Sequence, residues 1–231
     1  MIETYTPYVV SRRVVETPTI STVWLFPKEG ERPDFISGQF VNVHVPELGS
    51  EAKSYSIAST PRDAGLALTV RVSGNFSRAI LARGVGDELL LSEPLGYFYP
   101  EDNTPRIFLA GGIGIVPYMS IIRDSIEKGT PVETVLLYSN RTHEDVAFKT
   151  ALDVHTRESP LTVRHFITRA SGSVPGTTYS RIGGEHLKEV VCAHPEAHIY
   201  VCGSVPFVRD MRLYTKELGV PEERQFAESF F

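Results

Sequence analysis

The stretch LAGGIGIVP, residues 109–117, decides how the second half of this chain folds. An apolar run over 106–110 predicts a short strand before it, and apolar residues at helical spacing over 114–128 predict a helix that stops at Gly129. Glycines at a strand-to-helix turn let the backbone approach a ligand closely, and the first turn of a helix offers free N–H groups to a phosphate. Two interpretations fit the turn: a tight connection without a ligand, or a dinucleotide-binding turn. The second uses Gly111, Gly112, Ile113, Gly114 and Pro117, whose missing N–H costs nothing in the first turn of a helix.

The residues beyond this turn continue the alternation of strands and helices. Strand patterns cover 132–138, 161–167 and 198–202, and helix patterns cover 144–155, 184–192 and 205–218. Strands that alternate with helices in this way predict a parallel sheet covered by helices.

Residues 1–100 predict β-structure instead. Short runs rich in Val, Ile, Thr and Tyr, separated by turn residues, cover 8–15, 19–26, 39–45, 53–58, 66–72 and 88–92. One short helix is predicted over 77–83, with Gly84 closing it. Short strands with regular turn signals favour an antiparallel barrel or sandwich. The polar segment YPEDNTP, 99–105, separates the two patterns, so we predict domains at 1–100 and 105–231.

Two segments of the first domain contain candidate binding residues. In KSYSIAS, 53–59, strand alternation puts Lys53 and Tyr55 on one face, about 6.6–6.8 Å apart. This pair is suited to hold a diphosphate and to stack on a flat ring, but a surface lysine beside a packed tyrosine is the ordinary alternative. In SGNFS, 73–77, Ser77 is the predicted N-cap of the short helix, and the free N–H groups of that helix could also bind a diphosphate.

Composition and charge exclude several classes of protein. The formal net charge is -5, without a block of like charge, so a basic nucleic-acid-binding stripe is absent and no nucleic-acid partner is expected. The two cysteines, Cys192 and Cys202, form no CxxC pair, which excludes an iron–sulfur or cysteine–zinc centre built by this chain alone. The histidines are scattered, so we predict no metal site. No apolar stretch approaches about 18 residues and no signal-peptide pattern opens the sequence, which predicts a cytoplasmic protein without a membrane span.

Taken in order, these segments resemble the motifs of the ferredoxin–NADP⁺ reductase superfamily. KSYSIAS (53–59) is similar to its RxYS flavin motif, GNFS (74–77) to its GxxS diphosphate turn, and GDELLLSEPLGYF (86–98) to the strand and loop that close its flavin domain. LAGGIGIVPYMSIIR (109–123) is similar to its nicotinamide-diphosphate motif, and YVCGSVPFVRDM (200–211) to its Cys-Gly segment. The end of the chain, AESFF (227–231), is similar to the Ala-Glu-x-aromatic-aromatic end of the short bacterial ferredoxin/flavodoxin reductases. The resemblance implies an antiparallel six-stranded flavin-binding β-barrel followed by a doubly wound parallel-sheet domain for a nicotinamide dinucleotide.

The resemblance also implies roles for the flavin-domain residues. Tyr55 would stack on the isoalloxazine of FAD, and Ser56 would form a hydrogen bond near flavin N5. Lys53 stands where an arginine is usual, so it keeps the charge but loses the bidentate fork. Arg71 would contact the ribityl or phosphate region. The other implied cofactor contacts are Ser54, Val72, Gly74, Asn75, Phe76 and Ser77.

Further roles are implied in the second domain. Cys202 and Glu228 would lie beside the nicotinamide and act with Ser56 as catalytic residues, and Gly203 would contact the nucleotide. Phe230 would cover the outer flavin face and Phe231 would pack on the adenine. The alternative for both phenylalanines is a C-terminal strand buried for packing.

Three arginines bear on the choice of nucleotide. Arg141, Arg169 and Arg181 match basic positions that the bacterial relatives use for the 2′-phosphate, although each could equally be a solvated surface residue. No acidic residue stands at 139–141 to bind a ribose 2′-hydroxyl, as an NAD site would prefer. We therefore expect NADPH to be preferred over NADH.

The resulting functional prediction is a flavoenzyme that transfers hydride between NADP(H) and FAD and single electrons to or from ferredoxin or flavodoxin. Arg12, Arg13, Arg78 and Arg83 could form a basic docking face for that partner, or an ordinary solvated surface. Three alternatives stay open: an NAD(P)H:free-flavin reductase, the stand-alone reductase component of an oxygenase, and an accessory electron-transfer subunit. We expect a monomer.

Overall fold

The structure is a computed structural model that describes residues 4–230. The chain divides into two compact units. The first extends to Tyr99 and also contains Val116–Asp124, and the second contains Pro100–Ile115 and the residues from Ser125 onward.

The first unit is built on six antiparallel strands. They are β1 (Thr6–Thr17), β2 (Ile20–Pro27), β3 (Phe40–His44), β4 (Ala52–Ser56), β5 (Leu66–Arg71) and β6 (Glu88–Leu91). Their order in the sheet is β4-β3-β6-β1-β2-β5. An isolated antiparallel bridge between Ile57 and Leu68 connects the continuation of β4 to β5, so the two ends of the sheet meet. The predicted six-stranded antiparallel barrel is confirmed, because this bridge joins its two edge strands.

The core of this barrel follows from strand alternation. Val41 and Val43 on β3, Leu66 and Leu68 on β5, and Leu91 on β6 are all 0% exposed. Burying each such side chain contributes about 1.5–3 kcal/mol relative to leaving it exposed. Helix α1 (Asn75–Ala82) closes the barrel by burying Phe76, Ile80 and Leu81. This helix begins two residues before the predicted start at residue 77.

The second unit contains a six-stranded parallel sheet. Its strands are β7 (Arg106–Gly111), β8 (Thr134–Asn140), β9 (Leu161–Ile167), β10 (Thr177–Thr178), β11 (His198–Ser204) and β12 (Gln225–Phe230). Their order is β10-β9-β8-β7-β11-β12. Strands are added to one side of β7 as far as β10 and to its other side from β11, which is the doubly wound order that the motifs predict. Such sheets bind ligands where the strand order reverses, at the carboxyl ends of the strands. The boundary between β7 and β11 is that point.

Four further helices follow the strands. They are α2 (Val116–Glu127), α3 (Lys149–Glu158), α4 (Gly184–Ala193) and α5 (Val205–Glu217). A short 3₁₀ turn, Gly112–Ile115, precedes α2, so the α-helix begins two residues after the predicted position 114.

The prediction of a helix over 144–155 is wrong at its start. The chain forms a 3₁₀ turn at His143–Asp145, and α3 begins only at Lys149. Phe148, the residue before the helix, has φ 59°, in the left-handed region. A non-glycine residue rarely adopts this conformation, and here it interrupts the helical path that the apolar spacing predicts.

Both faces of the parallel sheet are buried. Ile107, Leu109, Val135, Leu137 and Val201 pack on one face with residues of α4 and α5. Phe108, Leu136, Tyr138 and Tyr200 alternate with them and are at most 1% exposed. Burial on both faces explains why these strands read as continuous apolar runs. Within residues 4–230 no helix is long and apolar enough to cross a membrane.

Candidate functional site

Strand β4 presents Lys53 and Tyr55 on one face, as the sequence predicts. The Lys53 Nζ atom lies 5.6 Å from the centroid of the Phe76 ring, and the Tyr55 ring stacks on the same ring at 6.4 Å with an interplanar angle of 18°. Burial raises the pKa of Tyr55 to about 12. Phe76 thus connects α1 to β4 and fixes the plane of Tyr55, as a platform for a flat ring requires.

The Lys53 ammonium is half exposed and lies 3.3 Å from a carboxylate oxygen of Glu51. A surface ion pair of this kind contributes about 0–1 kcal/mol, so Glu51 is a weak competitor for an incoming anion. The hydroxyl of Ser54 points elsewhere and donates to Asn42 Oδ1 at 2.7 Å.

Ser56, on the same strand, has a buried hydroxyl that is not hydrogen-bonded to any described residue. Its side chain is 4% exposed, and its Oγ atom has no hydrogen-bond partner among the described residues. A buried polar atom without a partner is uncommon, and it usually indicates a ligand, an ordered water or a functional role. A flavin with a ring nitrogen at this hydroxyl would supply the missing partner, so the residues present fit that cofactor.

The N-terminus of α1 is built differently from the prediction. Gly74, not Ser77, is the N-cap. Ser77 occupies the third helical position, where its Oγ accepts hydrogen bonds from the backbone N–H of Ser73 at 2.9 Å and of Gly74 at 3.1 Å and donates to Gly74 O at 3.0 Å. The Ser77 hydroxyl is therefore used inside the turn, so the groups suited to an anion are the first N–H groups of the helix, from Asn75 onward.

Two further predicted flavin-site residues lie at the end of β5. Arg71 is the last residue of that strand and is half-buried. Val72 is 39% exposed, and its backbone N–H donates to Thr19 O at 2.9 Å. Both positions immediately precede the turn that leads into α1.

In the second unit the glycine turn lies against β11. A Cβ atom on Gly114 would lie 2.2 Å from Cys202 O and 2.8 Å from Gly203 N. A Cβ atom on Gly111 would lie 2.8 Å from the Phe207 ring. Gly112 has φ 55°, in the left-handed region that favours glycine. Close contacts at Gly111 and Gly114 and the positive φ at Gly112 therefore favour glycine at these three positions. Ile113, which lies between them, is half-buried. Pro117 is the second residue of α2, which confirms its place in the first helical turn.

The carboxyl ends of β7 and β11 meet at the strand-order reversal. Ala110 pairs with Cys202 in the parallel register, and Gly111 and Gly203 follow them. The Phe207 ring on the first turn of α5 packs on both glycines, because an added Cβ on Gly203 would also lie 2.8 Å from it. Sequence patterns contain no signal for the contact of Phe207 with Gly111, since these two residues come from separate segments.

Cys202 and Glu228 are brought together by register. They are partners on the neighbouring parallel strands β11 and β12. Burial, and then the charge of Glu228, raises the pKa of the Cys202 thiol well above its usual value, so the group stays a neutral thiol. Phe230 pairs with Ser204 at the end of β12 and is half-buried, so the C-terminal strand that was the alternative prediction does form. The prediction for Phe231 lies outside the described residues.

Two of the three predicted arginines are neighbours. The backbone N–H of Arg169 donates to Arg141 O at 2.8 Å, beyond the paired ends of β8 and β9. Arg141, Arg169 and Arg181 are all exposed, and within residues 4–230 none of their guanidinium groups forms an ion pair. In the same part of the chain no cluster of three or more His, Cys, Asp or Glu residues is arranged to hold a metal ion.

Comparison with known proteins identifies the family. The family described as "Oxidoreductase NAD-binding domain" matches residues 108–213. The chain is 32% identical to ferredoxin–NADP reductase B of Sorangium cellulosum, over 85% of each chain. It is 29% identical to a flavohemoprotein of Bordetella pertussis over 96% of this chain, and it spans 59% of the length of that relative.

A solved structure confirms the two-unit fold. The flavohem-like FAD/NAD-binding domain of nitric oxide dioxygenase from Vibrio cholerae O1 biovar El Tor superposes with a TM-score of 0.88 at 21% identity, over 99% of both chains. A flavin and a nicotinamide dinucleotide are the cofactors that the motifs and the relatives indicate together. The chain belongs to the ferredoxin–NADP reductase family of oxidoreductases.

Proposed function

We propose that this protein transfers electrons between NADPH and a one-electron carrier protein by way of a bound FAD. The observation that carries the proposal is the Ser56 hydroxyl, buried without a hydrogen-bond partner among the described residues, on the strand that also presents Tyr55. A buried hydroxyl without a hydrogen-bond partner lowers the stability of the folded protein by about 1–3 kcal/mol, so it is not expected in a strand with a purely structural role.

The flavin-domain residues would act as follows. Tyr55, held in plane by Phe76, stacks on the isoalloxazine, and the Ser56 hydroxyl bonds to it at the ring nitrogen that takes part in hydride transfer. The first N–H groups of α1 and the Lys53 ammonium bind the diphosphate, with Arg71 and Val72 beside them. When bound, the flavin supplies the redox chemistry, taking two electrons with a hydride and passing them on singly.

The second unit would bind the dinucleotide. The backbone of the turn that contains Gly111, Gly112 and Gly114 would bind the diphosphate. Cys202 and Gly203, at the end of β11, lie against the same turn. Cys202 and Glu228 would lie beside the nicotinamide, where the buried Cys202 thiol would stay protonated because its pKa is raised.

The preference for NADPH rests on Arg141, Arg169 and Arg181. Exposed guanidinium groups without carboxylate partners among the described residues are available to a 2′-phosphate. A charged hydrogen bond contributes about 1.5–3 kcal/mol, which corresponds to a roughly tenfold to hundredfold preference.

The proposed electron partner is ferredoxin or flavodoxin, since one relative is a ferredoxin–NADP reductase. Of the four arginines that could form a basic docking face, three make contacts within the protein. Arg13 donates to Leu81 O at 2.9 Å, Arg83 forms two hydrogen bonds to Glu47 at 2.7 and 2.8 Å, and Arg12 stacks 4.8 Å from the Trp24 ring. The reductase component of an oxygenase is the alternative for this role, as another relative is the toluate 1,2-dioxygenase electron transfer component of Pseudomonas putida.

A free-flavin reductase is the second candidate function. One observation favours it: Lys53 stands where an arginine is usual, and an ammonium lacks the bidentate fork of a guanidinium, which weakens the hold on a diphosphate.

The test is the visible spectrum of the purified protein, followed anaerobically while NADPH or NADH is added. A yellow protein bleached faster by NADPH supports the proposal. A colourless protein that reduces added flavin supports the free-flavin reductase, and a yellow protein that neither nucleotide bleaches supports an accessory electron-transfer subunit.

A further inference from the structure

Helix α2 is the direct continuation of the glycine turn, yet its first nine residues pack within the first unit. All of the residues from Val116 to Ile122 are buried, which is expected only of a helix surrounded on every side. Tyr118 is 0% exposed and lies 5.8 Å, centroid to centroid, from the Phe98 ring. Ile121 lies so close to Gly38 that an added Cβ there would be 3.2 Å from its Cδ1 atom.

Two polar contacts attach this helix to the loop that follows β4. The Ser120 hydroxyl donates to the backbone oxygen of Ser59 at 2.6 Å, and both residues are 0% exposed. One turn later, Arg123 forms an ion pair with Asp63 at 3.1 Å. Asp63 in turn accepts from the backbone N–H of Thr60 at 2.8 Å, so the helix contacts a loop that is itself ordered.

Ser59 is connected to Ser56 by a short, rigid path. Ala58 N donates to Ala67 O at 2.7 Å, and Ala67 N donates to Ser59 Oγ at 3.0 Å, which attaches the segment to β5. Ile57 N donates to Gln39 O at 2.9 Å. Ser59 thus uses its hydroxyl toward β5 and its carbonyl toward α2. The carbonyl link is the only one of these contacts that reaches the helix.

We propose that Ser120 is a positioning residue, which through Ser59 holds the Ser56 hydroxyl in place for hydride transfer. A displacement of about 1 Å in a reacting geometry can slow a reaction roughly a hundredfold. The sequence pattern does not predict this role, because a single serine among the apolar residues of α2 gives no periodic signal.

The inference rests on the proposed function, and Ser120→Ala tests it in the purified flavoprotein. We expect the flavin content and the NADPH KM to stay within about twofold of wild type, while the rate of flavin reduction at saturating NADPH falls about tenfold. Ser125→Ala, on the same helix, is the matched control and should reduce at the wild-type rate. Asp63→Asn, which weakens the second and partly exposed link, should slow reduction about threefold. A Ser120→Ala protein that reduces at the wild-type rate would overturn the proposal, even if it were less stable.

A second measurement does not depend on the reaction. Amide hydrogen exchange in the flavin-free protein should speed up about tenfold at Ala58 and Ala67 in Ser120→Ala but not in Ser125→Ala. Unchanged exchange at both amides would also overturn the proposal. Failure of wild type to be bleached by either nucleotide would contradict the proposed function, and this exchange result would still decide the role of Ser120.

Discussion

Replacing Gly114 by alanine tests the close approach of the glycine turn to β11. The added methyl carbon would lie 2.2 Å from Cys202 O and 2.5 Å from Cys202 C, whereas ordinary contacts begin at 3.4 Å. The turn and the strand must therefore separate by about 1.2 Å, the difference between 3.4 and 2.2 Å. Neither contact involves a flexible side chain, so rotation of a side chain cannot relieve it.

The expected cost has two parts. Overpacking of a well-packed interior costs about 1–3 kcal/mol, and backbone contacts place this variant at the upper end, so the free energy of unfolding should fall by about 3 kcal/mol. A shift of about 1 Å in the nucleotide-binding turn should lower kcat/KM for NADPH roughly a hundredfold. Flavin content should stay unchanged, because the residues proposed to hold the flavin lie in the first unit.

The assay is urea unfolding combined with steady-state NADPH oxidation. Gly184→Ala is the matched control: an added Cβ there meets only Tyr214, at 3.5 Å, and alanine at the start of α4 should leave stability equal or slightly higher. A Gly114→Ala enzyme with wild-type stability and wild-type kcat/KM would refute the steric reasoning. Equal losses in both variants would refute it as well.

The remaining predictions concern single side chains. Ser56→Ala should slow flavin reduction at least tenfold but raise the free energy of unfolding of the flavin-free protein by about 1–3 kcal/mol, because it removes a buried hydroxyl that has no partner among the described residues. Ser77→Ala should instead cost about 1–2 kcal/mol in the same unfolding assay, since it removes three hydrogen bonds at the start of α1. Arg141→Ala should raise the KM for NADPH about tenfold and leave that for NADH unchanged; equal effects would contradict the assignment. At pH 8 a thiol reagent should modify exposed Cys192 but reach Cys202 only after unfolding. Because the folded-state pKa of Cys202 is raised above its usual 9.0, its contribution to stability is present below pH 9 and is lost as pH rises further, which unfolding at pH 8 and 10 would reveal.

Most of the architecture was predictable because periodicity and turn residues are local signals. Strand β9 has the predicted bounds 161–167, and the other predicted strands agree with the structure to within about two residues at most ends. The start of α3 was not predictable, since apolar spacing continues through Phe148 while its backbone adopts φ 59°. The two-residue strand β10 was missed because so short a segment has no period.

The candidate site divides in the same way. Motif order along the chain pointed to Ser56, Tyr55 and the glycine turn, and their roles stay predictions. The N-cap of α1 was predicted wrongly because Ser77 and Gly74 both suit a helix start, and only the observed hydrogen bonds to Ser73 and Gly74 distinguish them.

The sequence by itself determined the class of each unit, the order of the motifs and the residue types available for a flavin and a dinucleotide, because these depend on composition and on spacing along the chain. Only the tertiary structure decided which of those residues meet. The pairing of Cys202 with Glu228, the packing of Phe207 on Gly111, and the hydrogen bond from Ser120 to Ser59 each join segments distant in sequence. Such contacts arise from strand register and from burial, and neither is encoded in the local pattern of any one segment.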